Sequence, residues 1–537
     1  MIRPLIRISL LVPLATAAAA PAPGQTGSRL WRPEERVLIG DMGVVEAVAA
    51  DENVLYVVTR TGIGVYDLRF DRWQPPVTVL DGYVPSPALA ALVDPTDQSL
   101  WLGTVNGVVN YSPRMRWYQT TAVAGGAAEL MVDREDAFAG VYLLNRSGWQ
   151  FLPRGGVMPR PVTSLPPVAR QIRTVSPQQV VARHPEIETM RLGTLLDDRM
   201  RSFRYTAAAE VSLRGLVFLG TDGLGVVRYD VGIASLEVLP FGLLAPGASA
   251  LALAPGGVWV GSDGRSSRSG FTLVGSDLQR FSFEEGPRVT GLGMGAVHAM
   301  TLHDEALWAA ADGGVVVVGP EGTGRITTVQ GLPAGRALSL APGTGGVWIG
   351  TERGVAFVHD DGTVARAGEQ LSSRVNALAF EGDGADGVWV GSRAGLGLAW
   401  AGSDRVVVPP DVARVPELGE PVVAVALNEL VLVAALRDRI VWRWRTEGGG
   451  PAAGDGWLVE RRIAELGELT SVACDGDAVW LGGSRGFAVY RPATRAFAFY
   501  AAPGDVPGVV WDVVVDDRYL WLATEGGLVR VEKRAIP

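Results

Sequence analysis

Leu100-Trp101-Leu102-Gly103-Thr104-Val105-Asn106-Gly107-Val108-Val109-Asn110-Tyr111 reads as a short apolar run, a turn closed by Gly107, and a second short run. That is the pattern of a β-hairpin. The same phrase returns at 348–355, 389–396, 480–487 and 521–528. Aligned on the aromatic of the first run, the units fall at Tyr56, Trp101, Tyr142, Phe218, Trp259, Trp308, Trp348, Trp389, Trp480 and Trp521, with Leu432 holding the place in an eleventh. The intervals are 45, 41, 76, 41, 49, 40, 41, 43, 48 and 41 residues. In eight units a glycine follows six residues later: Gly62, Gly107, Gly148, Gly314, Gly354, Gly395, Gly486 and Gly527.

Each unit also has an apolar run before the aromatic, as in Val375-Asn376-Ala377-Leu378-Ala379-Phe380 and Leu469-Thr470-Ser471-Val472-Ala473. Its small residues suit the crowded axis of a radial array. A third strand follows the glycine (Leu528-Val529-Arg530-Val531), and a fourth closes the unit (Ala496-Phe497-Ala498-Phe499-Tyr500). Four strands in about 41 residues is the period of a β-propeller blade. The glycine supplies positive φ in a tight turn, and the aromatic fills the space between twisted sheets. Seven of the 16 tryptophans hold the repeat position and are read as core; Trp73, Trp117, Trp442, Trp444 and Trp457 lie outside it and are freer to make surface contacts.

The 76-residue interval from Tyr142 to Phe218 exceeds a blade. Ser176 followed by Pro177 signals a helix start, and Ile187, Met190, Leu192, Leu195 and Leu196 recur near a helical period. A short two-helix insertion near 155–202 is expected, with a degenerate twelfth blade as the alternative. The last unit lacks a fourth strand, and the segment 29–37 could supply it, closing the array and removing free edges. The fold class is therefore all-β: a propeller array of about eleven four-stranded blades. Two packed rings are the first reading, with blades 1–4 at 29–245 and blades 5–11 at 246–537. One large ring is the alternative.

Composition narrows the function. The chain has 537 residues, 69 Gly, 34 Pro, 20% charged residues and a net charge of −9. No Lys/Arg block stands out, which argues against nucleic acid and anionic membrane surfaces as partners. The one cysteine, Cys474, is expected as a partly buried, hydrophobe-like thiol. Arg3 and Arg7, the apolar run to Ala20 and the small-residue triplets Ala15-Thr16-Ala17 and Ala17-Ala18-Ala19 form a signal peptide and linker over residues 1–24. The apolar run is shorter than the roughly 20 residues of a spanning helix. No other stretch is apolar and long enough to span a bilayer, so a mature chain exported to the periplasm or outside the cell is expected.

Chemistry is sparse. His298 and His303 are five apart and Asp304 follows, but no third ligand is evident, so no metal is assigned. No nucleophile elbow marks a Ser/His/Asp triad. Gly223-Leu224-Gly225 and Gly291-Leu292-Gly293-Met294-Gly295 lack the strand–loop–helix context of a phosphate loop and read as turns. No catalytic residue and no cofactor is assigned. Turns between second and third strands share one face of a propeller. Here they carry Arg60, Asn106, Arg146, Asp222, Glu352, Arg353, Arg393, Arg485 and Glu525, a polar rim that could select a ligand. The mixed signs disfavour a phosphate- or DNA-reading surface.

The stretch Phe218-Leu219-Gly220-Thr221-Asp222-Gly223-Leu224-Gly225-Val226-Val227-Arg228-Tyr229-Asp230 resembles the unit of the two-component regulator propeller repeat family, and the resemblance extends over about 45–531. It implies a propeller of the kind that forms extracytoplasmic sensing regions of hybrid histidine kinases, some of them sensing glycans. No transmembrane helix, kinase or receiver follows the repeats, so a stand-alone exported propeller is expected. The leading function is a non-catalytic binding or scaffold protein recognising a glycan, peptide or envelope protein. The alternatives are an extracytoplasmic sensor for a separately encoded signalling partner, and a carbohydrate-active enzyme, which would need carboxylates clustered at a channel mouth.

Overall fold

The computed structural model describes residues 30–136, 139–194, 202–266, 268–285, 295–320, 322–367, 371, 373–382, 387–403, 405–445 and 456–536. The segment read as a signal peptide and linker, residues 1–24, and the glycine run at 291–294 lie outside them. Among the described residues the strands form eleven antiparallel sheets, one for each unit read from the sequence: nine of four strands, the third of five and the eighth of three. In the eighth, the fourth-strand place is taken by a single bridge between Leu398 and Val407. No described helix is long and apolar enough to cross a membrane.

The register explains the repeat. The second-strand aromatic lies opposite an alanine of the inner strand in Ala49/Tyr56, Ala209/Phe218, Ala252/Trp259, Ala341/Trp348, Ala379/Trp389 and Ala473/Trp480. A small residue on the axis side leaves room for the ring on the neighbouring strand. Trp348 and Trp521 are among the largest fully buried side chains, while Tyr142 and Trp259 are half-buried. Some of these indoles also bond to a carboxylate in the preceding hairpin: Trp101 to Asp94 (3.3 Å), Trp521 to Asp516 (2.8 Å), and Trp389 to Glu381. The polar edge of a buried Trp needs such an acceptor.

The turn after the aromatic is tied by a hydroxyl. Thr59, Thr104, Thr351, Ser392 and Thr524 each donate to the carbonyl of the glycine three residues on, at 2.6–3.1 Å. Seven of the eight turn glycines have positive φ, and Gly62 does not. A second constraint acts at the same place. A Cβ on Gly107, Gly486 or Gly527 would sit 2.1, 2.0 or 2.2 Å from a carbonyl oxygen of the outermost strand.

In nine blades the register of the inner strand slips around its second residue, the geometry of a β-bulge. The residue left over in the bulge often reaches a blade packed beside its own. Ser249 Oγ donates to Val297 O (2.7 Å), Asn376 Nδ2 to Val422 O (2.8 Å), and Thr206 Oγ1 to Val45 O (2.6 Å), while Glu46 accepts from the Ala88 N–H (2.8 Å). Nothing in the apolar pattern signals these bulges.

The closing strand is present, slightly later than expected. Arg36–Ile39 pairs with the last strand, Gly527–Glu532, with Leu38 opposite Val529, and takes the outermost place in the eleventh sheet. The insertion also forms. Helix α1 (Pro177–Arg183) has Ser176 as N-cap in a capping box with Gln179, and helix α2 (Glu186–Thr194) follows. Ahead of them, Arg160–Pro161 completes the third sheet on its outer side, and Gln171–Arg173 adds a fifth strand on the inner side of Glu129–Asp133.

Inner strands of successive blades pack together through blades 1–3 and through blades 5–11, and two further contacts join distant blades. The inner strand of blade 4 (Tyr205–Val211) lies against that of blade 1 (Val45–Ala50), and that of blade 5 (Ala248–Ala254) against that of blade 11 (Val510–Val515). One apolar core takes Val48, Phe218, Leu251 and Trp521 from these four blades. Trp73 is buried in it and stacks on Phe241 with ring centres 4.2 Å apart. Trp442 is also buried, and Trp457 is half-buried with the Arg443 guanidinium 4.9 Å from its ring. Of the five tryptophans named above as lying outside the repeat position, Trp117 is the exposed one (52%). The others were drawn inward because third- and fourth-strand positions also face neighbouring sheets. Cys474 lies half-buried at the edge of a core, and burial pushes its thiol up to about 12.

Candidate functional site: a polar chamber between blades 1 and 4

The inner strands of blades 1 to 4, with the segment leading into α1, enclose an open chamber of about 430 Å³. Its walls are made by Ala47, Ala90, Ala91, Ala128, Ala207 and Ala208, because small residues line the inner strands. Polar groups project between them: Glu46, Glu129, Arg173, Gln178, Gln179 and Thr206. The chamber exists because the insertion crosses from blade 3 to blade 4. Arg173 stands opposite Met131 on the added strand, and two residues later Val175 bridges to Ala208 of blade 4.

The polar groups differ in their freedom. Glu46 is committed: one carboxylate oxygen takes the Arg60 Nε at 2.9 Å and the other the Ala88 N–H at 2.8 Å. Thr206 donates to Val45. Glu129 is exposed, and no ion-pair partner holds it among the described residues. Arg173 is exposed, with its guanidinium 5.2 Å from the Trp149 ring. The arrangement offers amides, hydroxyls, one free carboxylate and one guanidinium on a floor of alanine, which suits hydrogen bonding to a polyhydroxylated or peptide-like ligand. The sequence carried a weak signal for it: Glu46 and Thr206 stand among the alanines and valines of the inner strands of blades 1 and 4. Nothing marked Arg173, because a three-residue strand has no period to read.

The nine expected turn residues all sit at or beside turns between second and third strands, but five of them are spent on the fold. Arg60 holds Glu46. Asn106 Nδ2 bonds Ser86 Oγ at 3.2 Å. Asp222 accepts from the Arg204 N–H at 2.7 Å and bridges to Val44. Glu525 pairs with Arg265 of blade 5 at 2.9 Å. Glu352 faces Arg336 at 3.5 Å, and Arg336 also reaches Asp312 of the preceding blade at 2.7 Å. Arg146, Arg353, Arg393 and Arg485 are exposed, and their side chains have no ion-pair partner among the described residues.

His298 and His303 lie at opposite ends of one strand, Val297–His303, and do not converge. His298 is the bulge residue, 2.8 Å from Asp312. His303 Nε2 instead meets Asp360 of blade 7 at 2.8 Å, with Asp304 at 3.6 Å. Gly223-Leu224-Gly225 is a turn, tied by Thr221 Oγ1 to Gly225 O at 2.8 Å.

No family model and no curated protein matches the chain. Among solved structures it is similar to the extracellular domain of a putative hybrid two-component system from B. thetaiotaomicron, with 12% identity, a TM-score of 0.42, and 92% of this chain and 70% of that one covered. It is also similar to virginiamycin B lyase from Staphylococcus aureus, at 14% identity and a TM-score of 0.41, over 53% of this chain and 94% of that one. A third similarity is to the WD40 propeller domain of Doa1, at 12% identity and a TM-score of 0.40, over 54% and 93%.

Proposed function

We propose that this protein is a non-catalytic binding propeller of the cell exterior or periplasm, and that the chamber between blades 1 and 4 holds its ligand, a glycan or a short peptide. The observation that carries this reading is the chamber itself. It is concave and floored by alanine, and it presents polar groups from blades 1, 3 and 4 and the insertion, the usual make-up of a small-ligand site. We further propose that blades 1–4 with the insertion form one closed unit and blades 5–11 a seven-bladed ring. The packing of blade 4 on blade 1, and of blade 5 on blade 11, supports that division. The carbohydrate-active alternative is weaker, because Glu46, one of the chamber's two carboxylates, is already neutralised by Arg60.

Calorimetric titration of the mature chain against oligosaccharides and short peptides tests this. Glu129→Gln and Arg173→Ala should each weaken a bound ligand about tenfold, the worth of one charge-assisted hydrogen bond, and leave the melting curve in place. Unchanged affinity in the double variant would overturn the chamber as the site. A second reading rests on the exposed guanidiniums of Arg353, Arg393 and Arg485, which suit an acidic glycan on the turn face. A ligand whose affinity falls on replacing these three, and not on Arg173→Ala, would favour it.

A further inference from the structure

His303 closes the inner strand of blade 6, and its ring is mostly buried, with 13% of the side chain exposed. The nitrogen that faces outward, Nε2, is flanked by two carboxylates. Asp360 Oδ1 lies at 2.8 Å and belongs to the next blade, and Asp304 Oδ2 lies at 3.6 Å on the residue that follows. One oxygen from each carboxylate and a ring nitrogen of His303 all lie within 4.8 Å of one another. A neutral imidazole has a single N–H, so Nε2 can donate to one carboxylate and leaves the other facing it without a proton. No arginine or lysine pairs with Asp304 or Asp360 among the described residues.

We propose that His303, Asp304 and Asp360 form a divalent-cation site, with zinc the best fit, that ties blade 6 to blade 7. Zinc takes imidazole nitrogen and carboxylate oxygen at about 2.0–2.2 Å, so ligand atoms in a tetrahedral site stand roughly 3.3 Å apart. The separations of 2.8 and 3.6 Å about Nε2 bracket that value. Two carboxylates and one neutral imidazole neutralise the ion's charge, and three protein ligands leave a position for water or for a group on a partner molecule. Two of the ligands are adjacent in the chain and the third lies 57 residues beyond His303, which is why spacing alone shows no third ligand. The site lies at the end of the strand away from His298 and is separate from the chamber of blades 1–4.

The test is titration of the tag-free mature protein with zinc chloride, and with cobalt chloride as a visible-absorbing substitute. The wild type should bind one equivalent, give a cobalt absorption band, and melt at a higher temperature with zinc. His303→Gln and Asp360→Asn should lose more than the roughly 10–100-fold in affinity that removing an outer partner of a metal ligand costs, and should lose the zinc-dependent rise in melting temperature. His298→Gln should change neither. Absence of binding in the wild type, or binding that survives His303→Gln, or binding that His298→Gln abolishes, would each overturn the assignment. If His303→Gln impairs folding, Asp304→Asn carries the same comparison from an exposed position.

Discussion

The Asp512 carboxylate of blade 11 accepts the Leu251 N–H of blade 5 at 2.9 Å, across 261 residues of chain. Its other oxygen takes the Val513 N–H at 2.8 Å. Burial raises the carboxyl from its ordinary 3.8 to about 6, against the opposing pull of those two bonds. The folded chain therefore keeps a proton that the unfolded chain has released between about pH 4 and 6. Stability from this group is present in full below that window and is lost as pH rises through it. The shift is worth at most about 3 kcal/mol, and less to the extent that the half-buried side chain meets water. Asp512→Asn keeps an acceptor for Leu251 and removes the titration. In urea denaturation at a series of pH values, the variant should gain on the wild type from pH 4 to 6 and then hold its lead. A constant difference would show that this carboxyl is solvated.

A second prediction concerns the closing strand. Val37, Leu38 and Ile39 are buried at 2%, 4% and 0% exposure, and Leu38 packs in the core shared by blades 10 and 11. Arg36 adds bonds from its guanidinium to Gly504 O (2.8 Å) and Leu80 O (2.9 Å), and Trp31 Nε1 bonds Asp505 at 2.7 Å. The strand thus ties blade 11 to blades 1 and 10. Leu38→Ala should cost about 2–4 kcal/mol as a buried leucine truncation, and a chain beginning at residue 40 should lose more. An unchanged melting curve for the shortened chain would remove the strand from any part in closure.

The turn glycines give a paired test within one blade. Gly476 has φ +54° and open space where a Cβ would go, whereas Gly486 has φ +138° and a Cβ there would lie 2.0 Å from Tyr500 O. Gly476→Ala should cost about 1–2 kcal/mol, the price of left-handed backbone alone. Gly486→Ala should cost clearly more, because the outermost strand Ala496–Ala501 must also move away. Equal losses would mean that φ, not the close approach of that strand, selects glycine at the repeat position.

These positions show which parts of the molecule were legible. Trp348, Trp389 and Trp480 announced the blades because a large ring opposite a small inner-strand residue is a local pattern that recurs with the period of the fold. Ser176 and Pro177 announced α1 because an N-cap is also local. The closing strand was legible by subtraction, since the last unit ended one strand short. The chamber was not, because its walls come from blades 1 to 4 and no pattern within a single blade records which neighbour its axis-facing residues meet. The His303–Asp360 contact was hidden for the same reason. The turn residues were placed correctly but could not be sorted: whether Arg60 or Arg353 is free depends on whether a carboxylate such as Glu46 stands beside it.

That sorting leads to the last prediction. The cross-blade pairs of the turn face are exposed: Arg265 and Glu525 at 59% and 47%, and Arg336 with Asp312 and Glu352 at 40%, 50% and 46%. Pairs held in water repay little of the side-chain entropy they cost, so Arg265→Ala or Arg336→Ala should each change stability by less than about 1 kcal/mol, and by less still in high salt. The hydroxyl beneath the same turns is buried: Thr351 has 0% exposure and bonds Gly354 O at 3.0 Å. Thr351→Val leaves that carbonyl short of a donor and should cost about 1–2 kcal/mol. If denaturation midpoints instead rank the arginine variants as the more damaging, the rim would be a structural belt with little freedom to recognise a ligand. The expected order leaves the rim charges free to vary with the partner while the threonine and glycine beneath them hold the turn.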